Sequence, residues 1–365
     1  MYNMIDKILL FPYWLTLKAR HFMYDHGMKK SSSAEVPTIC VGNLTVGGTG
    51  KTPHTEMLIR TLTKDVDWGA KNIAVLSRGY KRRTKGFQQV SAEGSAREFG
   101  DEPLQIKRKF PFITVAVDKS RREGCDFLCN PDKVQTSKKA RKCLHKDFPK
   151  ADLIILDDAF QHRALKPTVS IVLVDYNRPT FKDHLMPLGK LRDLQERIKA
   201  ADIVIVSKCP TYLDAWERSK WTEALKIRKD QHLFFTTIGY DQSQAVFPEG
   251  DPRYLYTQRL ILFSGIANDK PLRNYLSGTY KIVRHFDFAD HHKFSKADIT
   301  SIYNASRAFP TSVVMTTEKD CQRIRDCKII PDNLKQRMFY APIKVNFFSE
   351  EEQEAFASTL NSYLK

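Results

Sequence analysis

A glycine-rich stretch from Gly42 to Pro53 has the residue types of a phosphate-binding loop. It reads Gly-Asn-Leu-Thr-Val-Gly-Gly-Thr-Gly-Lys-Thr-Pro and follows the apolar segment Val36–Val41. In such a loop, successive backbone N–H groups face phosphate oxygens at the positive end of the following helix. The residues expected around the phosphates are Gly47, Gly48, Thr49, Gly50, Lys51 and Thr52. The sequence therefore predicts binding of a nucleoside triphosphate.

Two side chains of this loop have chemical roles in that interpretation. Lys51 reaches the outer phosphates as a catalytic cation, and the Thr52 hydroxyl helps to hold Mg2+. The strict motif has glycine where this chain has Thr45. The alternative is a glycine-rich turn with a chance Lys-Thr pair. The preceding strand and the following helix favour the phosphate loop.

A pair of carboxylates, Asp157 and Asp158, ends the apolar segment Leu153–Leu156. At the carboxyl edge of a parallel sheet, such an aspartate can hold or orient hydrated Mg2+ beside a phosphate loop. Strands that end in aspartate are common, so a turn-initiating pair is the alternative. The phosphate loop favours a metal site made by Thr52, Asp157 and Asp158.

The nucleotide base is predicted from the end of the apolar segment Ile203–Val206. GTPases carry Asn-Lys-x-Asp at this point, and the aspartate accepts hydrogen bonds from guanine. This chain has Ser-Lys-Cys-Pro at residues 207–210. Pro210 has no side-chain acceptor, which disfavours guanine, so the predicted cofactors are ATP and Mg2+.

Length and composition bound the class of protein. With 365 residues the chain exceeds the ~250–300 at which a single core usually stops growing, so two domains are expected. Its net charge of +17 suits nucleic acid, an anionic membrane surface or a polyanionic substrate. The seven cysteines lack paired metal-ligand spacing, which favours reduced thiols in a cytoplasmic protein.

The N-terminal apolar segment Ile8–Leu17 is too short to cross a membrane, which takes about 20 apolar residues. No small-residue cleavage site follows it, which argues against a secretory signal. Two interpretations remain from the residues alone: a helix lying in a membrane interface, and a helix docked on the protein's own core. Pro12 is expected to kink or restart either helix.

Apolar runs alternate with helix-length stretches, which predicts an α/β sandwich around a parallel sheet over the first ~230 residues. The predicted strands are Val36–Val41, Ile73–Leu76, Phe112–Val117, Leu153–Leu156, Ser170–Val174 and Ile203–Val206. Leu233–Ile238 and an extended piece at Arg253–Tyr256 flank a turn-rich connector at Gly239–Asp251, where a small hairpin is possible. A second α/β unit follows, and Ser349–Glu352 is a capping box that opens a final helix to Leu364.

Several further motifs occur in a defined order, and together they resemble the tetraacyldisaccharide 4'-kinase (lipid A 4'-kinase) family along nearly the whole chain. The motifs that carry the resemblance are Val46–Pro53, Ser77–Tyr80, Gly100–Pro103, Asp157–His162, Pro187–Arg192, Phe263–Ala267, Asp290–His292 and Thr316–Asp320. Taken alone, Asp290-His-His292 is most simply a helix cap.

The resemblance implies an activity, a fold and a location. The activity is transfer of the ATP γ-phosphoryl group to the 4'-hydroxyl of tetraacyldisaccharide 1-phosphate, a lipid A precursor. The fold is a P-loop NTPase-like domain and a smaller α/β domain joined by a short β-linker, with a membrane-associated N-terminal helix. The location is the cytoplasmic face of the bacterial inner membrane, with peripheral attachment. The expected bounds are 1–30 for the interfacial helix, 31–230, 231–257 for the linker, and 258–365.

The resemblance also implies residue roles. Asp101 is the expected catalytic base and His291, from the second domain, its partner. An unactivated sugar hydroxyl needs such a carboxylate within hydrogen-bond reach. The expected substrate-binding residues are Arg78, Tyr80, Arg121 and Arg192. Guanidinium groups suit phosphate recognition because they form paired hydrogen bonds.

Two other classes stay open at this stage. A P-loop GTPase-like metallochaperone would need a guanine motif and metal-ligand cysteines, against which Pro210 and the cysteine spacing argue. A nucleic-acid-binding ATPase is indicated by charge only. It would need aromatic residues interleaved with its basic runs, and Lys138–Lys142 has none. The expected partners are therefore the lipid substrate and a membrane surface, with no nucleic acid.

Overall fold

The structure, a computed structural model, describes residues 4–365, with side chains from residue 10 onward. Two mostly parallel sheets organise this part of the chain, and each has an apolar core on both faces. We call the elements packed on the eight-stranded sheet the large unit, and those packed on the five-stranded sheet the small unit. The α/β class with a mostly parallel sheet is thus confirmed.

The strands of the eight-stranded sheet are β1 (Thr38–Asn43), β2 (Ile73–Ser77), β3 (Gln88–Gln89), β4 (Thr114–Val117), β5 (Leu153–Asp157), β6 (Val169–Asp175), β7 (Ile203–Ser207) and β8 (His232–Phe235). Their order is β3-β4-β2-β5-β1-β6-β7-β8, and only the β3–β4 pair is antiparallel among these described strands. Because parallel strands share one carboxyl edge, the loops after β1, β2, β5 and β7 lie at the same edge.

Helices cover both faces of this sheet. On one face lie α1 (Met4–Asp25), α5 (Arg121–Cys129), α6 (Asp132–Thr136) and α7 (Ala215–Leu225). On the other lie α2 (Lys51–Lys64), α3 (Ala96–Phe99), α4 (Asp101–Lys109) and α12 (Glu350–Leu364). Short 3-10 helices occur at Lys138–Ala140, Thr180–Lys182, Gln195–Ala200 and Pro252–Tyr256. Buried apolar side chains on both faces explain why the strands are near-continuous apolar runs.

The small unit has a five-stranded sheet in the order β10-β14-β13-β11-β12. Its strands are β10 (Gln244–Ala245), β11 (Arg259–Ser264), β12 (Lys281–Asp287), β13 (Val313–Thr317) and β14 (Met338–Ala341). Its helices are α8 (Lys270–Ser277) on one face, with α9 (Lys296–Ala308), α10 (Glu318–Ile324) and α11 (Asp332–Lys335) on the other. The helix α10 follows β13 directly and contacts α4 of the large unit.

The connection between the units is a two-stranded antiparallel sheet of β9 (Thr237–Tyr240) and β15 (Ile343–Asn346). The chain leaves the large unit through β9 and returns through β15. The single strand predicted at Leu233–Ile238 is therefore wrong, because the chain changes sheets at Thr236. The hairpin considered for the connector is wrong as well, since β9 and β10 pair with β15 and β14.

The structure also differs from the sequence predictions at Arg253–Tyr256 and in the packing of the final helix. Arg253–Tyr256 is a turn of 3-10 helix rather than extended, because the Asp251 carboxylate accepts from the Arg253 N–H at 3.0 Å. The final helix begins after Ser349 as predicted, and the Ser349 hydroxyl accepts from the Glu352 N–H at 3.3 Å. That helix packs on the large unit, although the sequence assigns all of 258–365 to a second unit.

Helix α1 is docked on the core of the large unit, which is one of the two interpretations of its sequence. It continues through Pro12 without a break. Leu10 and Leu17 are buried against the core of the large unit. Other positions along the helix expose large apolar side chains, namely Phe11, Trp14, Leu15 and Phe22. Across residues 4–365, no helix has the length and apolar character needed to span a membrane.

Candidate active site

The loop between β1 and α2 has the backbone of an anion-binding turn. Gly50 precedes α2 with φ of 89°, a left-handed conformation that glycine adopts without steric cost. The Asn43 side-chain amide donates to the Thr49 hydroxyl at 2.7 Å, and Lys51 Nζ donates to Asn43 Oδ1 at 3.3 Å. The last residue of β1 therefore orients two loop residues before any ligand binds.

The end of β7 supports this loop from the side. The Ser207 hydroxyl donates to the Thr49 carbonyl at 2.9 Å. Lys208 donates to the Gly48 carbonyl and pairs with Asp175 at 2.6 Å. The segment that the sequence analysis used to judge base recognition thus holds the phosphate loop in place.

Asp157 lies at the end of β5, directly beside β1, where it is paired in register with Val41. It is only 5% exposed, and its carboxylate accepts from the Ser77 hydroxyl at 3.1 Å and from the Thr55 hydroxyl at 3.4 Å. Burial, reinforced by the charge of Asp158, raises the pKa of Asp157 to about 6. The hydrogen bonds from Ser77 and Thr55 therefore do not offset the cost of burying the Asp157 charge at the edge of the phosphate loop.

Asp158 is held by two cations. Arg192 forms a paired contact with its carboxylate, and Lys51 Nζ lies 3.7 Å from its Oδ1. Burial alone would raise the pKa of Asp158, but Lys51 and Arg192 outweigh it and lower that pKa to about 2. Burial also lowers the pKa of Lys51, and the Asp158 charge partly offsets this effect.

These donors fit Mg2+ as a partner of bound phosphates. Mg2+ in phosphoryl-transfer sites is held by one or two carboxylates, with the remaining ligands from phosphates and water. Thr52, Asp157 and Asp158 supply one hydroxyl and two carboxylates at a single sheet edge. The raised pKa of Asp157 is the structural observation in favour, since a nearby cation would relieve the cost of its charge.

The pair of Asp101 and His291 forms across the interface between the units. Asp101 is the first residue of α4, and its Oδ2 lies 3.2 Å from His291 Nδ1. Gly100 precedes it with φ of 96°, and a Cβ there would lie 3.2 Å from the Tyr80 carbonyl. His291 has φ of 61°, an uncommon conformation outside glycine that often marks a functional constraint. The His-His motif is therefore a turn that aims His291 at Asp101.

The surroundings keep Asp101 ionised. Arg323 donates from Nε to Asp101 Oδ2 at 2.9 Å. Burial would raise the pKa of Asp101, but His291, Arg323 and Lys319 outweigh it and lower that pKa. Glu102 follows Asp101 and acts electrostatically on both Lys51 and Asp157. Helix α4, which begins at Asp101, also contacts α2, which begins at Lys51, and Gln105 donates to Glu56 at 2.7 Å between them.

The profile of the tetraacyldisaccharide-1-P 4'-kinase (LpxK) family matches residues 5–365. The chain belongs to this family. Proteins named tetraacyldisaccharide 4'-kinase are similar to it: one from Phocaeicola vulgatus is 37% identical over 95% of this chain and 91% of the relative, and one from Flavobacterium johnsoniae is 36% identical over 100% and 98%. This confirms the family that the motifs indicate.

A solved structure shares the fold of this LpxK-family chain. It is the crystal structure described as the "apo" form of LpxK from Aquifex aeolicus in complex with ATP. The match has a TM-score of 0.70 at 24% identity and covers 98% of this chain and 99% of that one. The chain therefore shares the overall fold of that structure.

The remaining predicted site residues of the LpxK-family chain differ in their surroundings. Arg78 and Tyr80 are exposed at the end of β2, and the Tyr80 ring lies 5.5 Å from the His291 ring. Arg121 is buried and donates to the backbone carbonyls of Asp118 at 2.7 Å and Asp157 at 3.1 Å. Arg121 thus stabilises the turn that carries the aspartate pair.

Sequence reasoning assigned no role to three residues of this site. Asn43 accepts from Arg192 at 2.5 Å in addition to its contact with Lys51. Arg323 and Lys319 both approach the interface pair. Asn43 had a signal, since it is a polar residue ending a buried strand. Lys319 lies in the recognised motif Thr316–Asp320, but no spacing rule indicates which residue of another unit it contacts.

Proposed function

We propose that this chain is an ATP-dependent lipid kinase that phosphorylates the 4'-hydroxyl of tetraacyldisaccharide 1-phosphate in lipid A biosynthesis. One observation carries the proposal: an ionised carboxylate, Asp101, begins a helix that packs on the helix of the phosphate-binding loop, and it is paired with a histidine from the other unit. Phosphoryl transfer needs this combination of a cradle for the donor and an acceptor for the hydroxyl proton. Family membership favours the kinase over the GTPase-like and nucleic-acid-binding alternatives.

The donor side is the phosphate loop. Residues 47–52 bind the ATP phosphates through backbone N–H groups and the N-terminus of α2. Lys51 balances the charge that develops on the transferred group, and Asp158 and Asn43 hold its ammonium group near the loop. Thr52, Asp157 and Asp158 would hold Mg2+, which supplies charge neutralisation on the phosphates when bound.

The acceptor side is Asp101. Both described contacts to its side chain, from His291 and Arg323, fall on Oδ2. Oδ1 is therefore the oxygen that accepts the hydrogen bond of the sugar 4'-hydroxyl and takes its proton as the oxygen attacks the γ-phosphorus. A lowered pKa suits this role in a loose transition state, where positioning matters more than base strength.

The substrate phosphate and sugar lie near four residues in this proposal: Arg78, Tyr80, Arg121 and Arg192. Arg78 and Tyr80 are exposed, Tyr80 lies beside His291, and both can contact an incoming sugar without rearrangement. Arg192 already contacts Asp158, so it bridges the donor and metal sites. Arg121 must give up a carbonyl contact to reach a phosphate.

The membrane surface is the proposed location of the reaction, at the cytoplasmic face of the inner membrane. Support comes from α1, which exposes Phe11 and Trp14 although it is docked on the core of the large unit. A single short apolar segment binds bilayers weakly and needs a second signal. Lys29 and Lys30 are exposed just beyond α1 and supply positive charge for anionic lipid, worth on the order of 1 kcal/mol each.

The two units act as two domains in this proposal. Residues 31–230 carry the donor site, 231–257 form the linker and 258–365 contribute His291, except that β15 pairs with β9 of the linker and α12 packs back on the large unit. Since Asp101 and His291 belong to different units, opening of the interface would separate them. Domain closure is then the step that completes the catalytic pair.

The test is a direct assay. Purified protein is incubated with γ-labelled ATP and tetraacyldisaccharide 1-phosphate in mixed micelles, and label transfer to the lipid is followed by thin-layer chromatography. Asp101→Asn should abolish transfer, while Lys335→Met, which alters a lysine paired with Asp332 in the small unit, should not. Replacing ATP by GTP tests the base. Absence of transfer in every detergent and lipid composition would overturn the proposal.

A further inference from the structure

Helix α10 presents a cation to each member of the interface pair. Arg323 donates to Asp101 at 2.9 Å, and Lys319 Nζ lies 3.2 Å from His291 Nε2. Both cations come from one short helix of the small unit. The helix therefore contacts the proposed base and its partner at the same time.

The contacts of His291 determine which ring nitrogen carries hydrogen. An ammonium group has only donors, so Lys319 must donate to a lone pair on Nε2. Nε2 is then without hydrogen, and Nδ1–H donates to Asp101 Oδ2 at 3.2 Å. The geometry thus specifies a neutral imidazole with its hydrogen on the side of Asp101.

A competing arrangement exists on the same side of the ring. Asp290 Oδ2 lies 3.9 Å from His291 Nε2 and would accept from an Nε2–H group. Lys319 lies closer to that nitrogen and also pairs with Glu102 at 3.1 Å and Asp290 at 3.8 Å. Removing Lys319 would leave Nε2 facing the Asp290 carboxylate without a competing cation, which favours a hydrogen on that nitrogen.

We propose that Lys319 is a positioning residue that keeps the Nδ1–H group of His291 directed at Asp101. The inference rests on the proposed function for its catalytic consequence. A protonated imidazole would place a full positive charge beside Asp101, in addition to Arg323, and would weaken its ability to accept the hydroxyl proton. A Nε2–H tautomer would remove the hydrogen bond to Asp101 altogether.

The rest of the motif Thr316–Asp320 explains why α10 can do this. The Thr317 hydroxyl accepts from the Asp320 N–H at 3.0 Å, which caps α10. Asp320 also accepts from the Gly265 N–H at 2.9 Å. Glu318 receives Lys109 at 2.7 Å from the large unit, and the same lysine contacts Glu56 of α2 at 2.6 Å. The motif therefore docks α10 against the helices that start at Lys51 and Asp101.

The experiment compares Lys319→Met, Lys319→Arg and a matched control, Lys335→Met. Lys335 is also a paired lysine of the small unit, and both side chains are 24% exposed. Histidine-selective 15N labelling and long-range 1H–15N NMR report the hydrogen on each ring nitrogen. The signals of His291 are assigned with His291→Gln. Steady-state kinetics with varied ATP and lipid acceptor give kcat and each KM.

Wild type and Lys335→Met should show the Nδ1–H form of His291 near pH 7.5, and Lys319→Met should gain Nε2–H or doubly protonated signals. We expect Lys319→Met to lower kcat about 10–100-fold with the KM for ATP little changed. Lys319→Arg, which retains a cationic donor, should recover part of the Nδ1–H signal and part of kcat. If Lys319→Met does not fold, Lys319→Ala, which also lacks a donor, takes its place in both measurements, with the same expected result and the same contrary result.

The two proposals fail in different ways. If wild type transfers no phosphate but shows the Nδ1–H form, the kinase assignment is wrong and the role of Lys319 in setting the tautomer stands. If wild type is active and Lys319→Met keeps both the Nδ1–H form and the wild-type kcat, Lys319 only forms interface ion pairs with Glu102 and Asp290, and the inference is overturned.

Discussion

Replacement of Asp157 by asparagine should make the nucleotide-free protein more stable at neutral pH while removing its activity. Asp157 is almost fully buried, and the hydroxyl groups of Ser77 and Thr55 are the described donors to its carboxylate. Burial and the neighbouring Asp158 raise its pKa to about 6. Asparagine has nearly the same shape, keeps a carbonyl oxygen for those hydroxyls and carries no charge.

The magnitude follows from the pKa. The value rises from 3.8 to about 6, and a difference of one pH unit corresponds to about 1.4 kcal/mol, so ionised Asp157 destabilises the folded state by up to about 3 kcal/mol. Below pH ~4 the group is protonated in both states and has no effect. Between about pH 4 and pH 6 the unfolded state loses its proton first, so folding stability falls as pH rises. Above pH 6 the full cost is present.

Urea unfolding at pH 4, 5, 6 and 7.5, without nucleotide or metal, measures this difference. The stability advantage of Asp157→Asn should be near zero at pH 4, grow up to pH 6 and then level off. Asp158→Asn is the matched control with the opposite sign, because Lys51 and Arg192 outweigh burial and lower the pKa of Asp158 to about 2. Since the Asp158 side chain is 35% exposed, solvent screening limits the folding stability lost in Asp158→Asn to about 1 kcal/mol.

Addition of ATP with Mg2+ provides the second half of the test. The melting temperature of wild type should rise when ATP and Mg2+ are added, since a ligand that binds only the folded state stabilises it. Asp157→Asn should gain much less, because it lacks one carboxylate of the proposed metal site. An Asp157→Asn protein that is no more stable than wild type at pH 7.5, or whose advantage is the same at pH 4, would refute the electrostatic reasoning.

Further predictions concern the loop, the interface pair and α1. Lys51→Ala should lower kcat by about 10²–10³-fold at saturating ATP with an unchanged circular dichroism spectrum, and a near wild-type kcat would contradict the loop assignment. Asp101→Ala and His291→Ala should each lower kcat by about 10²–10⁴-fold, and the double variant should be little worse than the worse single one; multiplied losses in kcat would show independent action. Trp14→Ala should weaken binding to anionic vesicles with little change in melting temperature. Leu17→Ala should instead destabilise the fold by about 2–5 kcal/mol, measured by urea unfolding, and equal effects of both variants on melting temperature would contradict the exposure of Trp14 and the burial of Leu17.

The local pattern of the chain determined the strands and the glycine-rich loop between β1 and α2. The six strands predicted between Val36 and Val206 all appear in the eight-stranded sheet, because fully buried parallel strands are near-continuous apolar runs. The phosphate loop was predictable for the same kind of reason. Its glycines, Lys51 and Thr52 are contiguous in sequence, so their spacing alone specifies the geometry. The family was likewise readable from the order of short motifs.

Long-range pairing decided the parts that the sequence analysis missed. The chain changes sheets at Thr236 because β15, more than one hundred residues later, supplies a pairing partner for β9. The final helix has the capping and periodicity of any amphipathic helix, and these local features do not say which unit it covers. Its packing on the large unit depends on the return of the chain through β15.

Helix α1 shows the same contrast between what the sequence predicts and what tertiary packing determines. Its sequence is apolar on most sides, which left a membrane helix and a core helix equally compatible. The structure buries Leu10 and Leu17 and exposes Phe11 and Trp14, so the distinction depends on which face the large unit covers. Periodicity describes the helix, and only its neighbours determine which side faces solvent.

The interface site depends on tertiary structure most of all. The sequence determined that Asp101 and His291 are residues of recognisable motifs, and that Lys319 lies in another. Hydrogen bonds reach only about 3 Å, whereas these residues are separated by up to 218 positions in the chain. Contacts between Asp101, His291, Lys319 and Arg323 exist because α4 and α10 pack against each other across the two units. That packing brings Asp101 to Nδ1 of His291, while Lys319 lies at Nε2. The spacing of residues in the sequence does not predict where such a donor and acceptor lie in space, so only the tertiary structure could assign the hydrogen to one ring nitrogen.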